Sequence, residues 1–284
     1  MATDTRNLPA FLSNDADFRT WVQGIQAQLA VAGMVKTADT GQINSATVAR
    51  PGVINTAAGY EVYRFDDALQ ATRPVFFKLE YGVGGAVDRP AIWLTAGSSS
   101  DGAGAINGLS FLARVQRAAA GSKPAATLVP SYCSGEGGRL ALITNHDTST
   151  FTIGFLIERA RLFDGTAVEG LMVFSFSSGA YSGSVVRPDL GSVFTGIAAL
   201  PGVLATYQNS QSSVAPNVAL VPPIQALGGR LVTWPFLIYE TAVLSGVAAV
   251  VVDGALGGSH TFLTVGGGMP TVITAGYAPA ILWE

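Results

Sequence analysis

Few residues in this chain could do chemistry, and each stands in a setting that favours structure. Asp39-Thr40-Gly41 is the minimal tripeptide of an aspartic protease, whose two carboxylates share one proton. The chain has one copy, followed by Gln42, and the flanks at 35–38 and 43–51 lack the apolar strands that would hold a dyad, so an ordinary turn is expected. A serine triad needs a nucleophile at a strained elbow, a histidine base and an orienting acid. No Gly-x-Ser-x-Gly is present. Of the two histidines, His146 reads as part of a polar loop after a strand and His260 as a strand start, with no nucleophile beside either. One cysteine, Cys133, excludes an intrachain disulfide and a thiolate cluster, and two histidines leave little for zinc. No metal, no cofactor and no enzymatic activity are expected.

Asp66-Asp67 could pair as acid and base or hold a hard cation. Adjacent acids at a strand end point to different faces and sit in solvent, so a turn is the expectation here too. The glycine-rich pieces at 82–87, 134–138 and 266–268 lack the Lys-Ser/Thr of a phosphate loop and read as connections between strands. Trp93, Trp234 and Trp283 with Tyr60, Tyr63, Tyr81 and Tyr239 could line a carbohydrate-stacking surface, but strand aromatics more often anchor a core or a subunit interface.

The elements that must position these residues follow from periodicity. Phe18, Trp21, Val22, Ile25 and Leu29 make one apolar stripe, predicting an amphipathic helix over 17–31, capped by Ser13, Asn14 or Asp15 and stopped at Gly33. Beyond it the period falls to two, with strands expected at 60–65, 75–81, 91–95, 140–144, 150–158, 171–176, 182–187, 218–221, 231–239, 247–252, 260–265, 271–274 and 280–283. In the strand at 75–81, Val75, Phe77 and Leu79 alternate with Phe76, Lys78 and Glu80, the pattern of a half-solvated antiparallel sheet. Residues 110–120 read as a second short helix. The fold expected is mainly β, with antiparallel sandwich-like sheets, the N-terminal helix and that further helix. The loop at 97–104 suggests a boundary between an N-terminal helix-plus-β domain (1–104) and a β-rich assembly domain (105–284).

Composition narrows the function. Only 12% of the 284 residues are charged, against roughly 25% in typical soluble domains, and 49% are hydrophobic, which excludes a disordered chain. With 16 Lys and Arg and a net charge of −3 there is no basic stripe for nucleic acid. The strongest apolar run, 241–252, is shorter than the roughly 20 residues of a spanning helix, and 190–229 and 254–283 are broken by proline and glycine. The first residues carry no basic-then-apolar leader, so synthesis and assembly in a cytoplasm are expected. Charge is unevenly placed: 17 charged side chains fall in 1–95, 14 in 96–189 and four in 190–284. A surface so poor in charge calls for cover by neighbouring subunits.

Three segments taken in order, 18–43, 55–82 and 91–104, resemble virion structural proteins of tailed bacteriophages, and the final Gly276-Tyr277-Ala278-Pro279-Ala280-Ile281-Leu282-Trp283-Glu284 has the look of those chains. The resemblance implies a tail-, neck- or baseplate-associated component of the virion without enzymatic activity, repeated about a symmetry axis. Its partners would be copies of itself and other virion proteins. Self-contact is expected in 190–229 and 254–283, with Trp234, Tyr239, Phe262 and Trp283 as interface residues. The alternative is a tail module that binds a host-surface receptor or glycan.

Overall fold

The computed structural model describes residues 1–108, 111–116, 127–147, 151–162, 164–177, 180–187, 192–195, 224–227, 230–233, 237–240, 249–253, 259–264 and 278–283. The fold is mainly β, with antiparallel sheets arranged sandwich-like and one helix in the N-terminal region. Strand β1 (Ala2–Pro9) precedes helix α1 (Asp15–Val31), followed by β2 (Val35–Lys36), β3 (Thr56–Arg64), β4 (Phe76–Val83), β5 (Pro90–Gly97), β6 (Ser99–Ser100), β7 (Ile106–Asn107) and β8 (Phe111–Gln116). Then come β9 (Leu128–Glu136), β10 (Arg139–Asp147), β11 (Phe151–Arg161), β12 (Ala167–Ser177), β13 (Ala180–Arg187), β14 (Ser192–Thr195), β15 (Ile224–Leu227) and β16 (Arg230–Thr233). The last four are β17 (Leu237–Glu240), β18 (Ala249–Asp253), β19 (Ser259–Thr264) and β20 (Ala278–Leu282).

A five-stranded sheet runs β2-β3-β4-β5-β8, and a nine-stranded sheet runs β1-β9-β10-β11-β12-β13-β14 with the β15–β16 hairpin joined to β11. A four-stranded sheet, β17-β20-β19-β18, carries the C-terminal strands. The pairing crosses the glycine loop at 97–104 in both directions. β1 lies on β9, from Ala2 opposite Gly135 to Pro9 opposite Leu128, while β8 lies on β5.

Helix α1 forms where the stripe predicts. The Asn14 side chain accepts from the Asp17 amide (3.0 Å), and Asp17 accepts in return from the Ser13 amide (3.0 Å), satisfying two donors at the helix start. At the other end the Gly33 amide donates to Ala30 and the Met34 amide to Leu29, with Gly33 at φ 76°, a left-handed cap that glycine adopts without strain. All five stripe residues are buried, in one hydrophobic cluster with Phe77, Leu79 and Tyr81 of β4 and with Leu140, Leu142, Phe155 and Ile157 of β10 and β11. The β4 alternation holds: Phe77, Leu79 and Tyr81 are buried, while Phe76, Lys78 and Glu80 are half-buried.

One buried polar residue sits within the helix face. Gln28 donates to the Ser131 carbonyl (2.9 Å) and accepts from the Ser131 hydroxyl (2.8 Å), which fixes α1 against β9. Close by, Gly135 lets the backbone of Ala32 approach so closely that any side chain there would collide with it. On the other face of β9, the Ser134 hydroxyl donates to the Leu282 carbonyl (3.1 Å) and Tyr132 meets Trp283 edge-on at 5.7 Å. The β9 strand is therefore held between the helix and the end of β20.

The structure corrects three expectations. Residues 111–116 are a strand rather than part of a helix: their helix-forming side chains carry less weight than the edge of β5, whose backbone groups need partners beside the buried Ile92 and Leu94. The strand expected over 231–239 is two strands in different sheets, β16 and β17, and the sequence between them holds Pro235, a residue with no amide to give to a ladder. His146 belongs to β10 rather than to a loop after it. The strands expected at 218–221 and 271–274 lie outside the described residues.

Candidate functional site

In β3, Glu61 shares its face with Tyr63 and with Phe65 just beyond the strand, so strand alternation carries an acid into the core, where it is 1% exposed. Four donors meet its carboxylate. The Tyr63 and Tyr81 hydroxyls reach Oε2 at 2.7 and 2.8 Å, while Gln26 Nε2 of α1 (2.8 Å) and Lys36 Nζ of β2 both reach Oε1. A carboxylate has about four acceptor sites, so this one is saturated. Burial, reinforced by the Glu61 charge, pushes both phenols well above their ordinary range and keeps them as donors. Tyr63 stacks on Phe77 at 5.6 Å, and Tyr81 meets Trp21 edge-on at 6.1 Å, which locks both rings.

Above this carboxylate lies an open cavity of about 460 Å³ between the C-terminal half of α1 and the segment 43–45. Ala30, Met34 and Ile43 supply apolar wall, Gln26, Asn44 and Ser45 supply amide and hydroxyl groups, and Lys36, Glu61 and Tyr63 close one side. The segment that frames it runs back along the helix: Gln23 donates to the Ser45 carbonyl (3.0 Å), Arg19 to that of Val48 (3.2 Å), and the Arg50 amide to Asp15 (3.0 Å). Because Lys36 is paired with Glu61, the cavity is close to neutral. Its chemistry is shape and hydrogen bonding, since the saturated carboxylate has no free position for general-base work.

The Asp39-Thr40-Gly41 turn is a second, separate node. Asp39 accepts from the hydroxyls of Thr37 and Ser100 and from the Gly104 amide (3.0 Å), and Thr40 donates its amide to the Gly102 carbonyl (2.8 Å). The Tyr60 hydroxyl stands within reach of the carbonyls of Thr40 (2.6 Å) and Ala103 (2.8 Å). Burial works to raise the Asp39 carboxyl, but the bonds from Ser100, Thr37 and Gly104 outweigh it and hold it below the ordinary value. Asp101, in the facing loop, accepts from the amides of Ala103 and Ala105 within its own loop. The tripeptide forms a turn that pins two loops together.

Asp66 and Asp67 diverge as expected, but only one faces water. Asp66 is exposed beside Arg64 at 3.5 Å, whereas Asp67 takes a bidentate bond from the buried Arg159, whose guanidinium also lies 5.6 Å from the Phe65 ring. That correction has a simple cause: Arg159 of β11 lies in the core, and a buried cation needs a partner. The aromatic set divides as well. Tyr63 and Tyr81 are core, whereas Tyr60 and Trp93 both stand opposite Glu80 on the outer face of the five-stranded sheet, with Lys78 5.5 Å from the Tyr60 ring.

Of the expected interface residues, Trp283 is half-buried against Tyr132. Tyr239 stands opposite Pro279 and Phe262 opposite Leu282 in the four-stranded sheet, and Trp234 lies outside the described residues. His260 pairs with Val252 in β19 and β18. Cys133 is buried on β9, and burial pushes its thiol well up, so it is an inert core residue. Among the described residues no group of three metal-ligating side chains converges.

The Glu61 network is the part that sequence reading missed, although a signal for it existed: an acid at the same parity as Tyr63 and Phe65 belongs to the inner face. No protein-family model matches the chain, and a search of curated proteins finds no match to it either.

Proposed function

We propose that this chain is a structural subunit of a tailed-bacteriophage particle, a β-rich building block that assembles into a symmetric tail-associated ring or trimer and works by forming interfaces. The observation that carries this reading is the run of residues 190–284, which holds only Arg230, Glu240, Asp253 and Glu284 as charged side chains. A lone soluble subunit needs charge over its surface; close packing against copies of itself removes that need. The resemblance of 18–43, 55–82 and 91–104 to virion proteins supports the same reading.

The test is the native mass of the purified protein across a concentration series. A closed trimer, hexamer or dodecamer is the expected result; a strict monomer at high concentration counts against it. One observation favours a second reading, a glycan-binding tail module: the row Tyr60, Glu80, Trp93 across three strands of the outer face places two half-buried rings either side of a carboxylate. An isolated monomer that binds host glycans, and loses binding with Trp93→Ala, would favour that module over the scaffold.

A further inference from the structure

We infer that β1 is the docking edge of a two-fold contact: β1 of a second copy of this chain pairs with it antiparallel, Thr5 opposite Thr5, and the nine-stranded sheet runs on into its partner. The contact goes beyond the assembly argued from residues 190–284 and stands on the N-terminal strand alone.

β1 ends the order of its sheet, and among the described residues β9 is its one strand partner. Edge strands are ordinarily short, bulged or interrupted by proline, because a long regular edge invites another chain to pair. β1 lacks these protections: it has eight residues, its register with β9 is unbroken, and proline comes only at its last position, Pro9.

The hydrogen-bonding phase sets which groups face outward. The Ala10 amide donates to the Thr127 carbonyl (2.9 Å), continuing the β1–β9 register, so residue 10 is a bonded position of that pair. Bonded and non-bonded positions alternate along an antiparallel pair. Ala2, Asp4, Arg6 and Leu8 therefore turn their amides and carbonyls to β9, whereas those of Thr3, Thr5 and Asn7 point to the open side. A strand that docks there meets three residues, each offering one donor and one acceptor.

Charge selects the occupant and the register. Asp4 and Arg6 lie on the face of β1 that carries Leu8 into the core, and they form an ion pair within the strand. With the two-fold axis at Thr5, Thr3 faces Asn7 and Thr5 faces Thr5 at bonded positions. Asp4 of each copy then faces Arg6 of the other at the closer, non-bonded positions, and each carboxylate lies between two guanidinium groups. Moving the axis to Asp4 or to Arg6 keeps the bonding phase but sets like charges opposite each other, which is destabilising. The strand is complementary to itself in one register.

The experiment follows the native mass of the full chain by sedimentation across a concentration series. Thr5→Pro removes an outward amide that β9 does not use, at an edge where proline is tolerated, so the chain should stay folded by circular dichroism and lose the two-fold contact. Asp4→Arg and Arg6→Asp should each weaken the contact about tenfold or more, and the double variant Asp4→Arg/Arg6→Asp should restore it. Covalent capture uses a Cys133→Ala background, because Cys133 stands opposite Asp4. There a mixture of Asp4→Cys and Arg6→Cys chains should form a disulfide dimer under mild oxidation, with neither cross-linking alone. Assembly that survives Thr5→Pro and gives no 4–6 cross-link overturns this contact and leaves the ring or trimer reading standing. A dimer that Thr5→Pro abolishes, with nothing larger, supports the contact and counts against that reading. A wild-type chain that stays monomeric at every concentration overturns both and leaves the edge to a strand of another protein.

Discussion

Two carboxylates flank the same five-stranded sheet and are used in opposite ways. Glu61 lies on the inner face, held by two phenols, an amide and an ammonium drawn from α1, β2, β3 and β4. Asp39 lies at the outer edge, held by two hydroxyls and an amide from the loops at 37–42 and 97–104. The first ties secondary elements together inside the core; the second ties loops together near water. The difference shows that a saturated carboxylate acts according to what its donors are attached to. Removing Glu61 disturbs the packing of α1 on the sheet, while removing Asp39 frees a loop pair and leaves the core alone.

The largest expected effect is that of Glu61→Ala, which leaves two buried phenols and the Gln26 amide without their acceptor, while the half-exposed Lys36 returns to water. Each buried donor left unsatisfied costs about 1–3 kcal/mol, and urea unfolding should show a loss of about 3 kcal/mol or more. Asp39→Ala should cost less, about 1.5–3 kcal/mol on the scale of hydrogen bonds to a charged group. Hydrogen exchange should locate its effect in the loops at 37–42 and 97–104 with α1 unchanged. If exchange in α1 rises as much as in the loops, the contrast between the two carboxylates fails.

Alkali probes the inner network. Tyr63 and Tyr81 have folded-state values raised above the ordinary 10, so their contribution is fully present below pH 10 and is lost as pH rises beyond it. Each phenol should steepen the loss by up to about 1.4 kcal/mol per pH unit, and Tyr81→Phe should shallow that limb while costing about 1 kcal/mol at neutral pH. A wild-type alkaline limb no steeper than that of Tyr81→Phe would contradict the buried-phenol account. Acid probes the outer node and gives the smallest effect. Asp39 is depressed below 3.8, so its contribution is present above that pH and lost as pH falls further, and Asp39→Asn should flatten the acid limb of a stability profile below about pH 4.

Helix α1 and the β4 alternation were legible because each writes its burial directly into spacing, every third or fourth residue for one and every second for the other. Asn14 and Gly33 marked the helix ends for equally local reasons. β8 was not legible, because Ala, Arg, Leu and Gln suit a helix and only the unpaired edge of β5 made those residues a strand. β1 and β9 were passed over for a related reason: one is a polar N-terminal segment and the other carries Pro130, Ser131, Ser134 and Gly135, and their identity as strands comes from each other. Asp67 was legible as a turn acid but not as the partner of Arg159, 92 residues away.

What the amino-acid sequence determined alone was whatever depends on near neighbours and totals: a mainly β chain with one amphipathic helix, the charge-poor final third, and a turn at Asp39-Thr40-Gly41. Tertiary structure decided the rest. It paired β1 with the distant β9 and made β8 a strand on the edge of β5, and it turned Glu61 from one acid among 19 into the centre of a four-donor network with a cavity above it. The physical reason is that burial and hydrogen-bond partnership belong to pairs of distant groups. An acid's spacing tells which face of a strand it takes, but whether that face meets water, a lysine or two phenols is known only once the sheets and the helix have closed on each other.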